Sequence, residues 1–97
     1  MWFTLYVSDQ NEEQIISSLR GLNKQAFLLL TEYGNSNVGG DWDEREGEIK
    51  AFSLNYPGVI FQLDCDGIDG SEFIREFYKD GKIQTVVGEI VYPSCTL

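Results

Sequence analysis

Ninety-seven residues and 11.0 kDa suffice for one domain around one core, because two cores in so short a chain would each bury too little apolar surface. Sixteen Asp and Glu against seven Lys and Arg, with no His, set the net charge at −9, which excludes imidazole acid–base chemistry, imidazole metal ligation and a basic face for nucleic-acid phosphates. Hydrophobic residues at 42% and aromatics at 13% place the chain among sequences that fold rather than among those kept disordered by charge repulsion.

The opening Trp2-Phe3-Thr4-Leu5-Tyr6-Val7 is aromatic and β-branched, which predicts a strand with Trp2, Thr4 and Tyr6 on one face and Phe3, Leu5 and Val7 on the other. It carries no positively charged opening of a secretory signal, and the expected location is the cytosol. Asp9 with Glu12 fits a capping box, and Ile15, Ile16, Leu19 and Leu22 follow at helical spacing until Gly21 and Asn23 mark an end. Ala26 to Tyr33, nearly all apolar, predicts a central strand; its run Ala26–Leu30 is the longest apolar stretch and far short of a membrane span. Residues 33–40 read as a loop, being rich in Gly and Asn.

Asp41 as N-cap with Glu44 in the capping-box position predicts a second helix with Trp42, Ile49 and Phe52 on one stripe, weakened by Gly47 and stopped by Tyr56-Pro57-Gly58. Val59 to Leu63 alternates as a strand, Asp64 to Gly70 reads as an acidic turn or bulge, and Phe73 to Tyr78 alternates again. Asp80-Gly81 suits the reversal of a β-hairpin into a last strand, Ile83 to Tyr92, bent near Gly88. The expected fold is α+β in the order β-α-β-α-β-β-β, with two helices on one face of a mostly antiparallel sheet whose last three strands form a meander.

The segments Ser53-Leu54-Asn55-Tyr56-Pro57-Gly58-Val59-Ile60-Phe61-Gln62-Leu63, Gly67 with Asp69-Gly70, and Glu76-Phe77-Tyr78-Lys79-Asp80-Gly81-Lys82 together resemble the C-terminal ferredoxin-like region of the Api92-like proteins of phages, plasmids and bacteria. The resemblance covers the second half of the chain. It implies a ferredoxin-like α+β fold and a mobile-element context, and brings no motif-borne active site.

Charge is concentrated rather than spread. From Asp41 to Glu76 ten carboxylates face only Arg45, Lys50 and Arg75, so seven of the nine excess negative charges lie there. Asp41, Asp43, Glu44, Glu46 and Glu48 belong to the second helix and its start; Asp64, Asp66, Asp69 and Glu72 belong to the acidic turn and its flank. If the two elements meet at one end of the sheet, they form a single field able to steer a basic partner. The same carboxylates would otherwise serve as solvation and as complements to helix N-termini. Among the aromatics, Trp2, Phe3, Phe61, Phe73 and Phe77 are expected mostly in the core. Tyr33, Trp42, Tyr56, Tyr78 and Tyr92 are the interface candidates, with Tyr33 and Trp42 preferred for their place beside the Gly-rich loop.

Other chemistries find no constellation. Counted as an EF-hand from Asp64, position 5 is Ile68 and position 12 is Arg75, so the calcium pattern fails. No metal site or cofactor is expected. Gly39-Gly40 lacks the Lys and Ser/Thr of a phosphate loop, no Ser or Thr has an activating His, and paired carboxylates here lack the deep cleft that glycoside hydrolysis requires. Cys65 and Cys95 are expected to be reduced thiols without a special role. The expected function is non-enzymatic: an acidic inhibitor that covers a basic nucleic-acid-binding surface of a bacterial defence complex, of anti-CRISPR or antirestriction type. An immunity protein against a nuclease toxin and an oligomeric binding module, including a homodimer, remain as alternatives. Direct nucleic-acid and membrane binding are not expected.

Overall fold

The computed structural model describes residues 1–67 and 73–87; the expectations for Asp69, Glu72, Gly88, Tyr92 and Cys95 lie outside them. The chain runs β1 (Trp2–Val7), α1 (Glu12–Leu22), α2 (Lys24–Leu29), α3 (Arg45–Ser53), β2 (Phe61–Asp66), β3 (Phe73–Lys79), β4 (Lys82–Val87). The four strands form one antiparallel sheet in the order β1-β2-β3-β4. The α+β class, the antiparallel sheet and the closing meander thus stand as expected, while the element order is β-α-α-α-β-β-β.

Strand alternation sorts the sheet into two faces. Phe3, Leu5 and Val7 of β1 stand opposite Cys65, Leu63 and Phe61 of β2, which stand opposite Ile74, Glu76 and Tyr78 of β3. This face carries the core, packed under Ile15, Ile16 and Leu19 of α1, Ala26 and Leu29 of α2, and Ile49 and Phe52 of α3. The opposite face bears Trp2, Thr4 and Tyr6 beside Asp66, Asp64 and Gln62. Trp2 therefore does not enter the core; it stays 41% exposed.

The largest departure from expectation is Ala26–Tyr33, where a central strand gives way to the helix α2 and a single bridge between Leu30 and Ser36. Burial falls on Ala26, Leu29 and Leu30 and spares Phe27 and Leu28, a helical spacing. β1 pairs directly with β2, which leaves no slot for another strand between them. An all-apolar run has no period of its own, so neighbouring elements decided its conformation.

The segment after α2 covers the outer edge of β1 instead. The Leu5 N–H donates to the Gly34 carbonyl at 2.7 Å, Ser36 Oγ donates to the Phe3 carbonyl, and the Gly40 N–H donates to the Met1 carbonyl at 2.9 Å. Gly34 has a φ of 86°, and a Cβ there would collide with the Leu5 carbonyl, so the close approach requires glycine. An edge strand that would otherwise present free backbone groups is thereby satisfied within the chain.

Helix starts and strand limits also shift. α1 begins at Glu12 rather than after Asp9, with Asn11 at its N-cap, yet both expected acids are used: Asp9 Oδ1 accepts the Asn11 N–H at 2.8 Å and Glu12 Oε2 accepts the Val7 N–H at 2.7 Å. α3 begins at Arg45 with Glu44 at the N-cap, because Trp42 turns its ring into the core and holds residues 41–43 outside the helix. β2 extends to Asp66, so Asp64 and Asp66 are strand residues rather than members of a turn. At the far end Asp80 and Gly81, with φ of 52° and 77°, make the expected tight reversal between β3 and β4. Ser53 Oγ accepts the Gly81 N–H at 2.8 Å and ties the end of α3 to this hairpin. Among the described residues no helix is long and apolar enough to cross a membrane.

Candidate functional site

The segment from Gly40 to Arg45 is held against the body at successive points. Gly40 is bonded to Met1, and Gln25 Nε2 donates to the Asp41 carbonyl at 2.8 Å. The Trp42 ring, 1% exposed, meets Phe3 edge-on at a centroid distance of 5.8 Å, a geometry worth about 1 kcal/mol beyond burial. Its Nε1 donates to Glu48 Oε1 at 3.1 Å, which ties the tryptophan to the first turns of α3. The anchor that matters most is Arg45. Its guanidinium forks onto the buried Glu76 carboxylate, Nε to Oε1 at 3.0 Å and Nη2 to Oε2 at 3.1 Å, and Tyr78 Oη donates to the same Oε1 at 2.6 Å.

This buried cluster explains a charge in the core. Glu76 occupies an inward position of β3 and would be strongly destabilising alone, but three donors satisfy it. The local shifts follow. Burial works against the Arg45 charge, and the bond and charge of Glu76 more than offset it, so its affinity for its proton rises. Burial, then the bond to Glu76, pushes the Tyr78 hydroxyl up. Burial, then the Glu76 charge, pushes the Cys65 thiol up to about 12, so it is protonated at neutral pH and unsuited as a nucleophile. Tyr78 and Trp42 are buried and leave the set of interface candidates.

With the inward groups so engaged, the carboxylates of the segment point out. Asp41, Asp43, Glu44 and Glu46 are exposed, and among the described residues the side chains of Asp41, Asp43 and Glu44 make no ion pair or hydrogen bond. Glu46 reaches Lys50 at 3.6 Å across one exposed helical turn, a contact worth a few tenths of a kcal/mol. Asp66 is exposed too, but it lies opposite Trp2 on the sheet face that Asp64 shares, away from the helices. The structure thus brings Asp41, Asp43, Glu44 and Glu46 together around the start of α3.

Other expected members separate from this group. Asp64 lies on the opposite sheet face, and Arg75 caps it, Nε to Oδ1 at 2.7 Å and Nη2 to Oδ2 at 3.1 Å, with Gln62 Nε2 on the same Oδ1. The bond to Asp64 holds the Arg75 proton more firmly. With its side chain only 12% exposed and its charge matched, Asp64 has little left to offer a partner. Glu48 is half-buried and engaged with Trp42. Tyr33 is exposed, but it sits where the edge-covering segment meets Leu5, toward the other end of β1; its hydroxyl is pushed up by the charges of Glu32 and then Glu13.

Sequence reasoning missed the Arg45–Glu76–Tyr78 cluster. A signal was present: in the alternation Ile74, Glu76, Tyr78 an acid shares a face with two large apolar side chains and must find a cation. Among the described residues no group of three or more His, Cys, Asp or Glu side chains could hold a metal ion. The fold and the site define a small acidic α+β protein in which, among the described residues, the carboxylates of Asp41, Asp43 and Glu44 at the start of α3 have no side-chain partner. Comparison with protein-family models, with curated proteins and with solved structures gives no match.

Proposed function

We propose that the protein is a non-enzymatic binding module that recognises a basic protein surface through Asp41, Asp43, Glu44 and Glu46. The partner surface in this reading is the nucleic-acid-binding groove of a bacterial defence complex, met in the cytoplasm of the bacterial or infected cell. The observation that carries it is the contrast within one short segment, where Trp42 and Arg45 are engaged inward while, among the described residues, the exposed side chains of Asp41, Asp43 and Glu44 have no partner. Groups fixed in place lose little entropy on docking, and a clustered negative field accelerates encounter with a cationic surface. The resemblance of the second half of the chain to Api92-like proteins supports the mobile-element part of the reading, and the ferredoxin-like kinship rests on that resemblance alone.

Charge reversal tests it. The variant combining Asp41→Lys, Asp43→Lys, Glu44→Lys and Glu46→Lys leaves Glu48, Asp64 and Glu76 intact and is expected to fold. Immobilised native protein is expected to retain nucleic-acid-binding effector subunits from a bacterial lysate at low salt, and to release them at high salt or on addition of duplex DNA; the variant retains none of them. Recovery of the same subunits by the variant overturns the acidic-face mechanism. Retention of a nuclease toxin as the sole partner would instead make the protein its immunity factor.

A further inference from the structure

Beside the acidic helix start lies a groove of about 460 Å³ between the end of α1 and the outer side of α3. Leu22 lines it from α1 and Gly47, Ala51 and the largely buried Phe52 from α3; Glu44 and Glu48 also line it, with Glu48 Oε1 taken by Trp42. On α3 the residues 44, 47, 48 and 51 recur every three or four positions and so share a face.

Two features of this groove serve nothing within the described fold. Leu22 is 71% exposed, at the end of a helix whose other apolar residues are buried. Gly47 sits inside a helix, where glycine costs about 1 kcal/mol relative to alanine. No positive φ demands it, and a Cβ there would have nothing within 4 Å. A missing side chain that its own fold does not require lets another backbone come close, and Ala51 one turn later extends the same shallow floor.

We infer that this groove docks an amphipathic helix with basic flanks from the partner, its apolar side chains against Leu22 and Ala51 and a Lys or Arg side chain on Glu44. Charge complementarity selects this occupant: Glu44 lines the groove and, among the described residues, its side chain has no partner, and the exposed acids Asp41 and Asp43 lie just before it. A groove with the apolar Leu22 and Ala51 on its lining and an acid beside them matches a helix that alternates Leu-like and Lys-like faces, the recognition mode in which an amphipathic helix lies in a groove. The inference rests on the proposed recognition of a basic protein and adds where on the surface its helix lies.

The test separates groove docking from attraction by charge alone. Two synthetic Leu/Lys peptides of about 18 residues are compared by fluorescence anisotropy, one patterned as an amphipathic helix and the other scrambled at identical composition. Wild type is expected to bind the patterned peptide at least about tenfold more tightly, a difference of about 1.4 kcal/mol. Amide shifts in the labelled protein are expected at Leu22, Gly47 and Ala51. The double variant Gly47→Gln, Ala51→Gln fills the groove without changing net charge, and replaces glycine with a better helix former, so its folding is secure. Its preference for the patterned peptide is expected to fall to about one. Equal binding of both peptides by wild type, or an undiminished preference in the Gln variant, overturns the groove while leaving the acidic-face reading standing. Binding of neither peptide overturns both.

Discussion

The starts of α1 and α3 are both acidic, yet their acids do different work. At α1 the carboxylates of Asp9 and Glu12 accept the backbone N–H groups of Asn11 and Val7, so the charge closes the turn that leads out of β1. At α3 the N-cap Glu44 makes no capping bond, and the helix is secured instead by a cation, Arg45, driven inward onto Glu76. The same composition therefore yields an internally satisfied helix start in one place and a displayed one in the other. Acidity alone does not mark a binding surface; acidity left without a local structural task does.

That contrast can be broken at its strongest point first. Arg45→Met strips the buried Glu76 carboxylate of its counter-charge and is expected to cost about 3 kcal/mol, read as a fall in the urea midpoint. Adding Glu76→Gln is expected to recover most of the loss, because the amide oxygen still accepts from Tyr78 while no charge remains to be matched. A penalty that the second change leaves untouched would mean that Arg45 acts by packing rather than by pairing. At α1, Glu12→Ala removes a charged acceptor from the Val7 N–H and is expected to cost about 1.5 kcal/mol. The smallest effect belongs to Asp43→Asn with Glu44→Gln, expected to shift stability by no more than about 0.5 kcal/mol while weakening capture of the basic partner. A larger loss of stability there would erase the distinction between the two helix starts.

Much of this architecture was legible before any coordinate. The Trp2–Val7 alternation, the Ile15, Ile16, Leu19 stripe and the Asp80-Gly81 reversal all appear where residue chemistry placed them. The candidate site was legible only in part: Asp41, Asp43, Glu44 and Glu46 are exposed together, whereas Asp66 and Asp64 lie on the other sheet face, Asp64 capped by Arg75, and Trp42 turned inward onto Phe3. Phe27 and Leu28 misled in the other direction, since their apolar character suggested a buried strand and they lie exposed on α2.

Backbone preference depends on a residue and its nearest neighbours, which is why the hairpin, the first strand and the stripe of α1 follow from the chain alone, as does the concentration of negative charge between Asp41 and Glu76. Whether a given carboxylate is spent or available depends on groups distant in the chain. Arg45 and Glu76 are 31 positions apart, and Arg75 and Asp64 are 11 apart on adjacent strands. Only the packed sheet and helices bring such groups within hydrogen-bonding distance, and so only the tertiary structure decided which acids were neutralised and which were left facing outward.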